Sequence, residues 1–483
     1  MPHTAGLFAA GALKANHSGN QAGPGAGKCM DKTTEKLARY VTALRYEDLS
    51  DVAVHTTKKL LIDAIGCAIG GYYGAPSAIA RKLAAETSAR RPARILGSGA
   101  PTSMEAAAFA NAVMVRYLDF NDTYISTGEG HPSDAISAVL AVADAHRLSG
   151  KDTLLAMAAA YEVYNALCDA VSLRDKGWDH GYFVVFAAAV GAGKLLGLTL
   201  EEMGHAIALA AGPNVPTRQT RSGELSMWKG CACAASARAG VFAALLAKQG
   251  MSGPGEAFEG RHGVFDQVTR PFELPPLGGE GRAFGVERTG IKFFPTEYHS
   301  QIPLDLALKL REKIAPDDID RVHAETYNLA WSEIGSEPAK WDPKTRETAD
   351  HSLPYMLAAA LQDGAISIAT FDEARIRDPK LRPLMNRIKV SENEEFTRAF
   401  PQAMMNRIEI VTKNGEHHVA SGRYPRGHGE NPLTDAEVEQ KYRALCQGLL
   451  PDARCEALLN ALWKLDTQPE IGAVLERVRI DGA

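Results

Sequence analysis

Between about Thr34 and residue 249, the chain is a nearly unbroken series of helix-forming runs. Apolar residues recur at helical spacing within each run, and glycines, prolines and capping residues separate one run from the next. Thr199 and Glu202, for example, form a capping box directly after Gly197. The predicted helices cover residues 34–44, 49–75, 77–88, 102–117, 134–148, 152–171, 183–196, 200–211 and 231–249. Only residues 94–97 (RILG) resemble a strand, which argues against the strand–helix alternation of a doubly wound nucleotide-binding fold.

The second half of the chain has a mixed character. Segments 321–330 and 406–425 are predicted strands, and the second contains an Asn-Gly hairpin turn at 413–416. Helices are predicted near 303–313, 351–362 and 394–399, and again from Thr434 to about Val478. The predicted fold is therefore mostly α. A large all-helical domain takes residues 34–280 and 434–483, a smaller α+β domain takes 281–433, and residues 1–33 form a disordered tail.

Composition restricts the classes of partner and chemistry. The 483 residues carry a net charge of −5 with no lysine- or arginine-dense block, which argues against nucleic-acid and anionic-membrane partners. No run reaches the ~18 apolar residues needed to span a bilayer. Seven scattered cysteines suit a reducing cytoplasm. The chain lacks H-E-x-x-H, C-x-x-C and G-x-S-x-G patterns and a phosphate-binding glycine loop. We therefore expect no metal and no cofactor, and a chemistry of acids, bases and fixed charges.

Residues 118–135 (LDFNDTYISTGEGHPSDA) concentrate more chemical groups than any other stretch. Asp119 and Asp122 follow one predicted helix, and His131 directly precedes the next. A short loop between two helices is a common place for catalytic groups. The alternative is structural, with Asp122 and Ser133 as helix caps and His131 as a hydrogen-bonded loop histidine.

Four other stretches combine charged groups with apolar surroundings. They are 178–181 with His180, 217–230 with Arg218, Arg221 and Lys229, 291–301 with Lys292, His299 and Gln301, and 344–352 (KTRETADHS). A histidine at a helix N-terminus is favoured in its neutral form by the helix dipole. Arginine and lysine side chains in these stretches are suited to binding carboxylates. Helix caps and solvated loops are the competing interpretation for each stretch.

These stretches, in this order, resemble the 2-methylcitrate dehydratase family, also called the MmgE/PrpD family, which includes cis-aconitate decarboxylases. The matching segments are LDFNDT…GHPSD, the WDH segment, SMWKGCA, GIKFFPTEYHSQ and DPKTRETADHSLPYM, with a weaker match in YPRGHGENPLTDAEVEQKY. The resemblance implies that the α+β domain is a lid inserted into the helical domain, and that the protein is a homodimer. It also implies that Asp119, Thr123, His131, His180, Lys229 and Lys292 line a cleft between the domains.

The implied reaction is dehydration of 2-methylcitrate, or of a closely related tricarboxylate, to 2-methylaconitate in propionate breakdown, without a metal. We expect His131 and His180 to form the acid–base pair, with Asp119 orienting one histidine or acting as the base. Lys229 and Lys292 complete the expected catalytic set. Thr123, Arg218, Arg221, His299 and Gln301 are the expected substrate-binding residues. Alternatives are cis-aconitate decarboxylation, epimerisation of a dicarboxylate, or an inert helical binding protein.

Overall fold

The computed structural model describes residues 30–482. Most of the predicted N-terminal tail, residues 1–29, therefore lies outside the described residues. Residues 30–33 belong to the fold, because the first helix begins at Lys32 and the Asp31 carboxylate accepts a hydrogen bond from the Thr34 N–H at 2.8 Å. The helix therefore starts two residues before the predicted position.

The first part of the described chain is helical, as predicted. Its α-helices are Lys32–Ala43, Asp51–Gly70, Ala75–Ala85, Met104–Tyr117, Ile136–Ala145, Gly150–Ala170, Gly181–Leu195, Leu200–Ala211, Ala232–Lys248, Val264–Gln267 and Gly285–Arg288. Thr199 and Glu202 form the predicted capping box. A Cβ atom on Gly240 would lie 2.6 Å from the Cβ of Ala188, so the small residues let two central helices pack closely.

Two short hairpins interrupt the helices. Ala93–Arg94 pairs with Pro101–Thr102, where the sequence predicted a strand at 94–97. Tyr124–Ile125 pairs with Glu129–Gly130 within the 118–135 segment, and sequence patterns did not predict this pairing. Two residues per strand are too few for an alternating pattern to be recognised.

The remaining part of the chain contains one four-stranded sheet. Its spatial order is Ile388–Glu392, Ile319–Thr326, Asn406–Thr412 and His417–Gly422, with the first pair parallel and the others antiparallel. The predicted Asn-Gly hairpin is confirmed, with Gly415 at φ +88°. The strand predicted over 321–330 is too long, because the chain leaves the sheet at Tyr327 and forms a helix. The short strand Ile388–Glu392 was not predicted.

The helices of this part lie on the sheet and after it. They are Gln301–Arg311, Asn328–Ile334, Pro338–Trp341, Arg346–Ala349, Leu353–Asp363, Glu373–Ile376, Arg382–Met385, Glu394–Ala399, Asp435–Cys446, Asp452–Trp463 and Gly472–Leu475. The prediction of a mostly α chain is confirmed.

Two large hydrophobic cores, with a small third cluster of Cys67, Leu118 and Leu445, organise the described residues. The larger one takes buried side chains from residues 37–291 and again from 433–480, while the second takes residues 294–410. The helix Asp435–Cys446, near the C-terminal end of the chain, packs against the helix Asp51–Gly70 in the larger core. One segment, Met227–Lys248, has the length and hydropathy of a membrane span, but 67% of its most apolar window is buried inside the protein.

Candidate active site

The loop after helix Met104–Tyr117 is held by buried hydrogen bonds. The Asp122 carboxylate accepts from the Ser133 hydroxyl at 2.6 Å, the Ser133 N–H at 3.1 Å and the Tyr161 hydroxyl at 2.6 Å. Asn121 donates to the Ser133 hydroxyl at 2.8 Å, and Thr123 donates to the Asp122 carbonyl at 2.8 Å. Burial raises the pKa of Asp122 to about 7. Asp122 and Ser133 thus shape the loop, while Thr123 lines the cavity beside it.

Asp119 lies at the centre of a cluster of buried cations. Its carboxylate accepts from Arg116 at 2.5 Å and from Lys292, and it lies 3.0 Å from the Lys229 ammonium. Its backbone is in the left-handed region, with φ +50°. Burial alone would raise the pKa of Asp119, but Arg116, Lys229 and Lys292 hold it well below its usual range. Asp119 therefore remains ionised, and because its carboxylate is engaged by these three protein cations, the geometry disfavours Asp119 as the base.

Lys229 lies behind the cavity rather than in its wall. It belongs to the 3₁₀ helix Met227–Gly230, and its ammonium donates to Asp350 at 2.6 Å besides pairing with Asp119. The same Asp350 oxygen accepts from Nδ1 of His351 at 2.7 Å. His351 lines the cavity, and burial together with Lys229 lowers its pKa to about 4. The polar 344–352 stretch was noted in the sequence, but no residue was assigned from it.

His131 presents an unprotonated ring nitrogen to the cavity. Its Nδ1 lies 2.6 Å from the Asp122 carbonyl, which can only accept, so Nδ1 carries the proton. Its backbone N–H donates to the Tyr164 hydroxyl at 3.1 Å, which fixes the residue from the other side. Burial and the positive charges of Arg116 and Lys292 hold the pKa of His131 well below its usual range. The neutral ring is therefore suited to accept a proton at Nε2.

His180 is adjacent to His131, with ring centroids 5.3 Å apart. Its Nε2 lies 3.4 Å from the Arg221 guanidinium, which only donates, so this lone pair faces a cation. Burial lowers the pKa of His180 to about 4. Arg221 in turn donates to Asp179 at 2.8 Å and to the Lys229 carbonyl at 2.9 Å. Arg221 is thus a buried structural cation whose positive charge also borders the cavity.

His299 has the opposite surroundings. Its Nδ1 lies 2.5 Å from the Tyr327 hydroxyl, and its Nε2 lies 3.7 Å from Glu129 and 3.8 Å from Glu297. Burial alone would lower the pKa of His299, but the two carboxylates outweigh it and raise the pKa above its usual value. Among the cavity histidines in the described part of the chain, this is the one whose neighbouring carboxylates favour the protonated form.

Two predicted substrate-binding residues are engaged with protein groups. Arg218 donates to Glu333 at 2.5 Å at the edge of the cavity. Gln301 does not line the cavity, and its prediction as a substrate-binding residue is corrected here. Its side-chain oxygen accepts from the Phe294 N–H at 2.9 Å, and its nitrogen donates to the Thr296 hydroxyl at 2.8 Å. The Gln301 amide therefore holds a backbone turn and has no group left for a ligand.

The cavity is lined by side chains from the chain segments that carry the two large hydrophobic cores. Its lining residues are Arg116, Asp119, Thr123, Ile125, Glu129, Gly130, His131, His180, Arg218, Arg221, Lys292, Glu297, Tyr298, His299, Glu333 and His351. Arg116 was not predicted, because an arginine inside an apolar helix gives no local signal. Its Nε has no hydrogen-bond acceptor among the described residues, which leaves a buried donor for an anionic ligand.

Within residues 30–482, two groups of side chains offer potential metal ligands within 4.8 Å of one another. They are Asp119, Asp350 and His351, and Asp134, His180 and Cys233. The Lys229 ammonium already lies between Asp119 and Asp350. Burial raises the pKa of the Cys233 thiol, and Arg221 donates towards its sulfur at 3.6 Å. Because protein cations occupy both places, neither group fits a divalent ion.

Comparison with known protein families identifies the chain. Residues 35–276 match the MmgE/PrpD N-terminal domain, and residues 294–465 match the MmgE/PrpD C-terminal domain. The chain belongs to the MmgE/PrpD family. This confirms the resemblance found in the motifs.

Curated relatives within the MmgE/PrpD family are lyases by name. The chain is 27% identical to a 2-methylcitrate dehydratase of Cupriavidus necator, over 89% of this chain and 93% of the relative. It is 28% identical to the 2-methylcitrate dehydratase of Escherichia coli (strain K12), over 83% and 86%. A cis-aconitate decarboxylase of Homo sapiens is 25% identical, over 90% and 92%.

Proposed function

We propose that this protein is a metal-independent hydro-lyase that removes water from 2-methylcitrate, or a closely related tricarboxylate, to give 2-methylaconitate in propionate breakdown. Relatives named as 2-methylcitrate dehydratases support the proposal. One observation carries it: in the same cavity, Nδ1 of His131 donates to a backbone carbonyl and leaves Nε2 without a proton, whereas Nε2 of His299 lies beside the carboxylates of Glu129 and Glu297.

Elimination of water requires both a proton acceptor and a proton donor in the cavity. A base takes a proton from the carbon beside a carboxylate, and the released electron pair forms the carbon–carbon double bond. The carbon–oxygen bond breaks as this double bond forms, and an acid protonates the leaving hydroxyl, which departs as water. We assign the base to Nε2 of His131 and the acid to His299. His180 was expected as the partner of His131, but its Nε2 faces Arg221.

Decarboxylation of cis-aconitate requires a different set of acid–base groups. Loss of CO2 leaves an electron pair on carbon that takes up a proton, so an acid is needed but no base removes a proton from carbon. A site that offers both groups therefore favours dehydration. Dicarboxylate epimerisation and cis-aconitate decarboxylation remain the alternatives within the family. An inert binding protein would have no use for oppositely tuned histidines.

The cations of the cavity supply the binding sites for three carboxylates. Arg116 and Lys292 are buried beside His131 and are placed to stabilise charge that builds on the carboxylate next to the reacting carbon. Arg218 and Arg221 extend this positive field, and Thr123 adds a hydroxyl. Lys229 acts indirectly, because it fixes Asp119 from behind.

We extend the proposal to the domain organisation, the oligomeric state and the location of the protein. We assign residues 34–280 and 434–483 to a helical domain and 281–433 to an inserted lid, which the separation of the two hydrophobic cores supports. We also propose a homodimer that acts in the cytoplasm on a small-molecule substrate, without nucleic acid or membrane.

Turnover assays test the activity directly. Purified protein is incubated with 2-methylcitrate, citrate and cis-aconitate, with and without a chelator. We expect an unsaturated tricarboxylate from 2-methylcitrate, no CO2, and no effect of the chelator. Release of CO2 from cis-aconitate would assign the chain to the decarboxylases. Loss of activity with chelator would overturn metal independence, and inertness towards every substrate would favour a binding protein.

A further inference from the structure

Lys441 joins three parts of the chain that are distant in sequence. It lies on the helix Asp435–Cys446, and its ammonium donates to the Phe120 carbonyl at 2.6 Å and the Lys292 carbonyl at 2.9 Å. The same ammonium lies 2.5 Å from the Asp63 carboxylate. The ammonium thus donates to two backbone carbonyls and forms an ion pair with one buried carboxylate.

Both carbonyls belong to the backbone that carries the central ion pair of the site. Phe120 directly follows Asp119, whose φ of +50° is a costly conformation for a residue with a side chain. Lys292 donates through its side chain to the Asp119 carbonyl at 3.0 Å and to the Asp119 carboxylate. Lys441 therefore holds the two backbone segments from which the Asp119–Lys292 pair projects.

The surroundings of Lys441 require an ammonium at this place. Asp63 is buried, and burial raises its pKa while Lys441 opposes that effect. The Lys441 ammonium also lies 3.7 Å from the centroid of the Phe120 ring, within cation–π distance. An arginine would not substitute for this lysine. Its planar guanidinium holds the N–H groups in a fixed fork, whereas the compact ammonium lies between two carbonyls and a carboxylate. Removal of the ammonium would leave one carboxylate and two carbonyls unpaired in the interior.

We propose that Lys441 is a positioning residue for the active site: through the Phe120 and Lys292 carbonyls, the helix Asp435–Cys446 sets the geometry of the Asp119–Lys292 pair. The turnover part of the test rests on the proposed dehydratase function. A displacement of about 1 Å in such a pair is enough to slow catalysis on the order of 100-fold.

A matched pair of variants separates positioning from stability. Lys58 pairs with Asp466 at 2.5 Å and also ties the C-terminal region to helix Asp51–Gly70, but it contacts no part of the cavity. We expect Lys441→Met and Lys58→Met both to lower Tm. We expect only Lys441→Met to reduce kcat, by roughly 10- to 100-fold with KM changed less than kcat. Equal kcat values for the two variants would overturn the proposal.

A crystal structure of Lys441→Met provides a readout that does not depend on activity. We expect Asp119 to leave its left-handed conformation or to lose its contact with Lys292, and an unchanged geometry would contradict the proposal. If the wild type turns over no tricarboxylate, the proposed function fails while this structural comparison still decides the role of Lys441. If Lys441→Met does not fold, Lys441→Arg, which keeps the charge beside Asp63, is judged by the same measurements.

Discussion

His131 and His299 line one cavity, yet their ring nitrogens meet different partners. A backbone carbonyl takes the Nδ1 proton of His131 and leaves Nε2 bare, whereas Nε2 of His299 faces two carboxylates. Burial acts in the same direction on both rings, since it disfavours the charged form. The neighbouring charges therefore decide the outcome: cations near His131 favour its neutral form, and anions near His299 favour its protonated form.

The His131→Asn variant tests the base. We expect turnover to fall by ~100-fold or more with the fold intact, because asparagine cannot accept a proton at the position of Nε2. Steady-state kinetics with circular dichroism provide the measurement, and His205→Asn, outside the cavity, is the control. Nearly unchanged turnover would remove His131 from the mechanism. Loss of activity in His351→Asn alone would then move the base to His351, whose Nδ1 is held by Asp350 in a similar way.

The pH profile tests the acid. His299 must be protonated to donate, so activity is present below its pKa and is lost as pH rises through that value. Because Glu129 helps to raise the pKa, Glu129→Gln should shift the alkaline limb of kcat/KM to lower pH. The exposed Glu201→Gln substitution should leave the profile unchanged. A limb that stays in place in Glu129→Gln would refute the assignment of His299.

The hairpin formed by Tyr124–Ile125 and Glu129–Gly130 positions two side chains of the cavity, those of Glu129 and His131. Glu129 extends to His299, and His131 follows directly after the second strand. The hairpin packs so closely on the helix Gly150–Ala170 that a Cβ atom on Gly130 would lie 1.9 Å from the Tyr164 hydroxyl oxygen. That hydroxyl accepts the backbone N–H of His131, so packing and site geometry depend on the same contact.

Gly130→Ala should therefore impair both stability and catalysis. We expect a drop in Tm of several degrees, corresponding to about 1–3 kcal/mol for overpacking, and at least a roughly tenfold loss of turnover. Gly197→Ala is the control, because Gly197 has φ +61° but nothing within 4 Å of the added Cβ. It should lose some stability and keep its activity. Removal of the clashing hydroxyl in Gly130→Ala/Tyr164→Phe should recover part of the lost Tm; no recovery would contradict the packing argument.

For the whole molecule, the cavity depends on contacts between its two hydrophobic cores. Lys229, in the segment that carries the larger core, pairs with Asp350 in the segment of the second, and Arg218 pairs with Glu333 across the same boundary. Neither core contains the complete site. The relative position of the two parts therefore sets the distances between His131 on one side and His299 on the other.

The outer surface behind Lys229 is unusually apolar. Ile79, Leu83 and Trp228 are each at least half exposed and lie on two elements in contact, helix Ala75–Ala85 and the 3₁₀ helix that carries Lys229. Neighbouring exposed apolar side chains are typical of an interface between subunits.

We expect the double variant Ile79→Glu/Leu83→Lys to weaken the proposed homodimer and shift the mass measured by light scattering from two chains towards one. Val419→Glu, at an exposed apolar residue on the sheet, is the matched control and should stay dimeric. A monomeric wild type, or a double variant as dimeric as the control, would contradict the proposed interface.

Much of the fold was predictable because the sequence patterns that specify helices and turns involve residues close together in the chain. Helix periodicity, capping residues such as Thr199 and the Asn-Gly turn at 414–415 act over a few residues, and the structure confirms them. Hairpin 124–130 and strand Ile388–Glu392 were not predicted, because so few residues carry no clear pattern and their partners lie elsewhere. Arg116 gave no signal for a related reason, since its partners are brought to it only by folding.

Sequence patterns were enough to predict that the chain is mostly helical, that it belongs to the MmgE/PrpD family, and that residues 118–135 concentrate carboxylates and a histidine. The surroundings of those groups depend on the tertiary structure. Asp119 is ionised because three cations from separate segments surround it, and His131 is neutral because of its burial and neighbours. Protonation states and ion-pair geometry depend on residues hundreds of positions apart, such as Asp119 and Lys441, so they arise only once folding brings these residues together.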